Sequence, residues 1–214
     1  EDRDMLKNAF DMTYAWTLWN KLREIAKEGK PVGGLIEYMA HDVSTFPRDG
    51  YKMTFTDNHD KNSWEGNQYS NFGPALETCI VFAATVNGMP LVYSGQKAGL
   101  DRSLRFFDKD TIIWKKHRNE QLYAQLFDLK LKNKALWNGK HGGQMVRVYN
   151  DSQDKIISFY REMNENKVLP IFNFSNETVN VTLNTKFAAD TYTELFSKKT
   201  YKLQGNDPIE LPAW

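Results

Sequence analysis

The chain has 214 residues, enough for one large domain or two small ones, and 41% of them are hydrophobic, so a sizeable core can form. Lys and Arg total 28 against 27 Asp and Glu, a formal charge of +1 with no basic stripe, which argues against a nucleic-acid partner. Cys79 is the single cysteine, so no disulfide framework and no cysteine-based metal site can be built; it lies in the apolar run Cys79–Ala84, where a core role is expected.

Taken in chain order, Asp4 to Asn20 places Met5, Ala9, Met12, Trp16 and Trp19 at helical spacing. A second helix, Leu18 to Glu28, stops at Gly29 and Pro31, and a third, Val32 to Phe46, is closed by Pro47. Tyr51 to Phe55 predicts a short strand, Asn71 to Val86 a buried helix, Pro90 to Tyr93 a second strand, and Thr111 to Lys132 a segment containing another helix. The longest apolar stretch, Cys79 to Tyr93, is interrupted by Asn87-Gly88 and Pro90 and is too short to span a bilayer, so no membrane partner is expected. From Gln144 onward the pattern alternates apolar and polar residues. Strands are expected at Gln144–Tyr149, Lys155–Met163, Lys167–Phe174, Glu177–Leu183 and Thr191–Phe196, with Ile209–Leu211 closing the sheet.

The predicted fold class is therefore α/β followed by all-β. Residues 1–138 read as strands joined by crossover helices, hence paired in parallel, and residues 139–214 as an antiparallel β-sandwich, with Asn138 to Gly143 as a flexible break. Only two strands are evident in the first part, and a parallel pair needs neighbours and cover. The opening Glu1-Asp2-Arg3-Asp4 has neither an initiator Met nor a signal peptide, so the chain reads as part of a longer protein.

Asn58, His59 and Asp60 follow directly on the strand Tyr51–Phe55. In a parallel barrel that position lies on the active-site face. An amide, a titratable ring and a carboxylate there can hold sugar hydroxyls and stabilise positive charge at an anomeric carbon. The same tripeptide can also form a turn or cap a helix. Trp64 can stack on a sugar ring or serve in packing. The four histidines, His41, His59, His117 and His141, offer no metal-ligand spacing. Asp101-Arg102 and Lys109-Asp110 read as solvated loop charges, and Arg105 as the residue that fixes its loop through an ion pair.

Phe55-Thr56-Asp57-Asn58-His59-Asp60 resembles the fourth conserved region of the α-amylase family (glycoside hydrolase family thirteen), Phe-x-x-Asn-His-Asp. Gly88-Met89-Pro90-Leu91-Val92-Tyr93-Ser94-Gly95-Gln96 resembles its strand-eight segment. Leu104–Asp108, Ala135–Gly139 and Met145–Asn173 follow in the family's order. The resemblance implies a retaining glycosidase acting on α-glucans such as starch and maltooligosaccharides. It makes Asp60 the transition-state-stabilising carboxylate, gives His59 a hydrogen bond to the sugar and has Asn58 hold the turn.

Two departures matter. Lys97 stands where the family has Glu, and no Gly-x-Arg-x-Asp nucleophile segment is present. The family's acid Glu lies upstream, and Glu1 is read as falling just past it. A complete (β/α)8 barrel takes roughly 250 residues, so the resemblance makes residues 1–138 a partial (β/α) barrel that holds only its last strands. The chain alone is therefore expected to be inactive, with no cofactor of its own. A calcium site in the complete enzyme would draw its ligands mostly from upstream. The substrate class favours an extracellular or periplasmic location. The alternatives are a non-catalytic carbohydrate-binding or scaffold module, and a piece held together by self-association through exposed barrel edges.

Overall fold

A computed structural model describes residues 3–214 except Arg48 and the side chain of Phe187. The sequence reading of Glu1 lies outside the described residues. The first part alternates strands and helices. Helix α1 (Arg3–Asn8) leads into β1 (Met12–Tyr14), followed by α2 (Trp16–Glu28) and α3 (Gly33–Thr45). Next come β2 (Tyr51–Thr54), α4 (His59–Trp64), α5 (Gln68–Phe72), α6 (Leu76–Thr85) and β3 (Met89–Pro90). A long loop then reaches α7 (Arg118–Lys132). The three strands form a parallel sheet in the order β1-β2-β3, with Met12 opposite Tyr51 and Met53 opposite Met89.

The single helix expected over residues 4–20 is thus two helices separated by a strand. Met12 fits the helical period, but Thr13 and Tyr14 favour strands, and pairing with β2 decides the outcome. The second strand is shorter than Pro90–Tyr93, because after Leu91, whose N–H donates to the Thr54 carbonyl at 2.8 Å, the chain turns away. Helix α2 ends as read: Gly29 adopts φ 66° and its N–H closes on the last carbonyls. Gly88, at φ 156°, is required by close approach, since a Cβ there would lie 2.6 Å from the Thr54 methyl.

Antiparallel strands make up the rest. These are β4 (Val146–Arg147), β5 (Ile156–Met163), β6 (Asn166–Val168), β7 (Ile171–Asn173), β8 (Val179–Asn184), β9 (Asp190–Thr193), β10 (Thr200–Leu203) and β11 (Asn206–Leu211). Strand β5 pairs with β4, β6 and β7; β8 pairs with β11 and β9 with β10. The strand read over Lys167–Phe174 is split at Leu169-Pro170, where Pro removes a ladder donor. Strand β10 was not anticipated, because Thr200–Leu203 is too short and charged to stand out. Val148, Ile156, Tyr160, Val181 and Leu183 pack the β4–β5 sheet against the β8–β11 pair in a small core of their own.

The larger core is shared between the two parts. Phe82 of α6 lies edge-on to Phe159, Phe172 and Phe174 at 5.1–6.2 Å. Cys79 is buried in the same core, and burial pushes its thiol pKa up, which leaves it an unreactive packing group. Arg161 is fully buried. Its guanidinium donates to the carbonyls of Thr85, Val86, Trp137 and Gly143 and to Asn87 Oδ1, at 2.8–3.1 Å. The expected flexible break is therefore clamped. A Cβ on Gly142 would lie 1.8 Å from the Trp137 carbonyl, so glycine is needed there for contact rather than mobility.

Replacing Arg161 with Met keeps the volume but strands four carbonyls in the interior. The Arg161→Met protein is expected to lose about 3 kcal/mol or more in urea unfolding. Lys132→Ala, on an exposed pair with Asp128, should change stability by less than about 0.5 kcal/mol.

Candidate active site

Strand β2 runs into four consecutive buried residues, Phe55, Thr56, Asp57 and Asn58, before α4 begins. The chain turns here because Asn58 caps α4. Its backbone is extended, its Oδ1 accepts from Lys61 N at 2.8 Å, and its carbonyl accepts from Asn62 N at 2.9 Å. The capping reading of the motif therefore describes Asn58, in line with the role of holding the turn. The Asn58 Nδ2, also buried, has no hydrogen-bond partner.

His59 and Asp60 occupy the first turn of α4 and are about half exposed, with His59 Nε2 3.4 Å from Asp60 Oδ1. Asp60 sits next to the helix N-terminus, where a carboxylate is favoured. Trp64 lies four residues on, over the same face of the helix as Asp60. It is 62% exposed and touches Phe106 and Phe107, with ring centres 5.3 and 6.1 Å away. The structure thus places all four sequence-predicted residues, Asn58, His59, Asp60 and Trp64, on one short element at the carboxyl end of β2. Three carry exposed side chains, while that of Asn58 points inward.

Beneath them is a polar network the sequence reading did not assign. Asp57 accepts from Asn58 N at 3.1 Å and from Asn62 Nδ2 at 2.9 Å. Asn62 Oδ1 accepts from Leu104 N at 2.7 Å. Gln96 donates to Thr56 Oγ1 and Gln68 Oε1, both at 2.9 Å, and accepts from Tyr93 N at 2.7 Å. Gln96 therefore ties the loop after β3 to the end of β2. It had been noted only as part of the Gly-Gln motif; a glutamine with donor and acceptor groups in that position was the available signal. On one side, Trp19 Nε1 donates to the Thr56 carbonyl, and Lys61 lies 4.1 Å from the Trp19 ring while bonding Glu65 at 2.5 Å.

The loop charges are also organised. Arg102 and Asp110, read as solvated, form a two-pronged pair at 2.7–2.8 Å, and Asp110 accepts from Arg105 N and Thr111 N. Arg102, more than any other cause, holds the Asp110 carboxyl well below the usual range. Arg105 contributes its backbone, and the ion pair that braces the loop belongs to Arg102. Lys97 is exposed, its ammonium 5.9 Å from the Trp114 ring. Among the described residues no group of three His, Cys, Asp or Glu side chains could hold a metal ion, and no helix is long and apolar enough to cross a membrane.

Asp57 is 2% exposed. Burial pushes its carboxyl up to about 7, only partly offset by the donors from Asn62, Asn58 and Gln68. Between pH 4 and 7 the folded chain keeps a proton that the unfolded chain has lost, so this group's stabilisation is present at low pH and disappears as pH rises through about 7. The stability of the chain relative to its Asp57→Asn variant is expected to fall across that window, by on the order of 4 kcal/mol, and to level off above it. Denaturant unfolding of both proteins at a series of pH values checks this; a difference that does not vary with pH would contradict it.

The chain is similar to known proteins. Residues 146–214 match the family model described as Maltogenic Amylase, C-terminal domain. Alpha-amylase 2 of Dictyoglomus thermophilum is 24% identical over 165 residues, which are 70% of this chain and 26% of that protein. A noncanonic maltogenic alpha-amylase, AmyB of Thermotoga neapolitana, superposes with a TM-score of 0.83 at 23% identity over 99% of this chain and 50% of that one. The structure of AmyP in complex with maltose has a TM-score of 0.72 at 14% identity, covering 96% of this chain and 49% of that one. At such identities the superpositions establish the fold. The chain spans about half the length of these solved relatives and about a quarter of the curated one.

Proposed function

We propose that this chain, which resembles the carboxyl-terminal part of α-amylase-type glycoside hydrolases over nearly its whole length and carries their maltogenic amylase C-terminal domain, supplies one wall of an α-glucan-cleaving pocket. The observation that carries the reading is the placement of His59 and Asp60, exposed on a capped turn immediately after a parallel strand, beside the exposed Trp64. In this reading β1, β2 and β3 are the closing part of a (β/α)8 barrel covering residues 1–138. Strands β1 and β3 each pair on one side only among the described residues, which leaves an edge for further strands at either end of the sheet. Residues 139–214 then form the sandwich domain that packs on its side.

In the complete enzyme a nucleophilic Asp would form a glycosyl-enzyme and a Glu would act as acid and then base, both from residues outside this chain. Asp60 contributes negative charge toward the oxocarbenium-like transition state. That contribution grows as substrate and the missing wall exclude water. His59 donates to a sugar hydroxyl, and Trp64 offers a flat apolar surface to a glucose ring. A cation at Lys97, where the family has Glu, alters the charge near the substrate and points to substrate handling that differs from the family's. Calcium, if the complete enzyme uses it, is held by upstream residues, and a secreted or periplasmic setting follows from the substrate.

The purified chain incubated with maltoheptaose is expected to release no reducing sugar, because it carries one of the three carboxylates; measurable release would refute the division of the site between this chain and residues outside it. Isothermal titration with the same sugar is expected to show weak binding, in the millimolar range, that Trp64→Ala weakens about tenfold. Binding indifferent to both Trp64→Ala and Asp60→Ala would count against the pocket lying here.

A further inference from the structure

Asn62 is fully buried at the back of α4, directly under the motif, and both ends of its amide are used. Its Nδ2 donates to Asp57 Oδ2 at 2.9 Å, and Asp57 Oδ1 in turn accepts from the backbone N–H of Asn58. Its Oδ1 accepts from Leu104 N at 2.7 Å, and Nδ2 also reaches the Arg102 carbonyl at 3.4 Å. The neighbouring Ser63 donates to the Leu104 carbonyl at 3.1 Å, so both backbone polar groups of Leu104 are held by α4. Two and three residues beyond Leu104 stand Phe106 and Phe107, which pack on each other at 4.9 Å and on Trp64. Phe107 is 85% exposed. Burial of its own side chain therefore does not hold it in place, and the part-buried polar contacts at Leu104 anchor this stretch of the loop.

We propose that Asn62 is a positioning residue that joins the Asn58–Asp60 turn to the loop carrying Phe106 and Phe107, so that the carboxylate, the imidazole and the three exposed rings are presented as one rigid unit. The chain Asn58 N–H to Asp57 to Asn62 to Leu104 N–H is continuous, and its side-chain members are shielded from water, where such bonds are strongest and a broken one is most disruptive. On the far side, the Arg102–Asp110 pair closes the loop on itself, with Asp110 accepting from Arg105 N at 3.0 Å. A glucan entering the site then meets a preset surface rather than ordering a loose loop, which lowers the entropic cost of binding. The inference rests on the proposed pocket for its purpose but not for its test, which uses no sugar.

Amide hydrogen exchange and fluorine NMR of 5-fluorotryptophan-labelled protein, with the Trp64 resonance assigned by its absence in Trp64→Phe, read the linkage directly. In Asn62→Ala the Leu104 amide and its neighbours through Phe107 are expected to exchange about tenfold faster or more, and the Trp64 resonance to move, while amides of β5 and β8 stay within about twofold of the wild type. Asp57→Asn, which keeps the volume but leaves one of the two donors without an acceptor, should produce the same pattern to a smaller degree and serves if the alanine variant does not fold. Unchanged exchange at residues 104–107 in a folded variant would overturn the proposal. So would a uniform acceleration that includes β5 and β8, which would make Asn62 a general stabilising residue. Absence of maltoheptaose binding to the wild-type chain, measured separately, would instead count against the proposed pocket alone and leave the linkage standing.

Discussion

Burying four residues in a row where a parallel strand ends creates a demand on the rest of the fold. Phe55 is satisfied by packing, but Thr56, Asp57 and Asn58 bring a hydroxyl, a carboxyl and an amide, together with their backbone groups, into a space without water. Nearly all of these find protein partners: Trp19 and Gln96 for Thr56, Asn58 N–H and Asn62 for Asp57, Lys61 N–H and Asn62 N–H for Asn58. These partners come from α2, from α4 itself and from the loop after β3, so the turn fixes the relative placement of three segments distant in sequence. The exposed His59 and Asp60 inherit their positions from this buried layer.

A second buried polar group plays the corresponding part between the two halves of the chain. Among the described residues the Arg161 guanidinium has no carboxylate beside it. It is satisfied by carbonyls at the carboxyl end of α6, where helical carbonyls lack partners, and by those of Trp137 and Gly143. Burial lowers its pKa to about 10, so it remains charged at neutral pH. Because α6 leads straight into β3 and then into the Gln96 loop, the antiparallel domain braces the element that closes the site from behind.

Much of this was legible in the sequence where one local signal sufficed. The change from helical to alternating pattern, the Gly29 stop and the capping capacity of Asn58 all follow from residue type and spacing. Strand β1 was not legible, since Met12 and Trp16 also satisfy the helical period and only pairing with Tyr51–Met53 selects the strand. The contribution of Asn138–Gly143 was misjudged for a related reason: glycines suggest looseness until a neighbouring backbone is seen within van der Waals distance. At the site, the tripeptide could be found from its chemistry, and Trp64 from its proximity. Asn62 and Gln96 could not be assigned, because their partners Leu104, Thr56 and Gln68 lie 28 to 42 positions away in sequence, and the part played by Asp57 depends in turn on Asn62.

We propose that the face formed by the α4 turn and the loop at residues 104–107 is where an α-glucan sits. The most direct test is a titration of the isotopically labelled chain with maltotriose, following every backbone amide by two-dimensional NMR. Shift changes are expected to concentrate at residues 57–64 and 104–107, with β5, β8 and β11 unmoved. Shifts confined to residues 146–214 would contradict it and make the antiparallel domain the carbohydrate-binding part of the molecule.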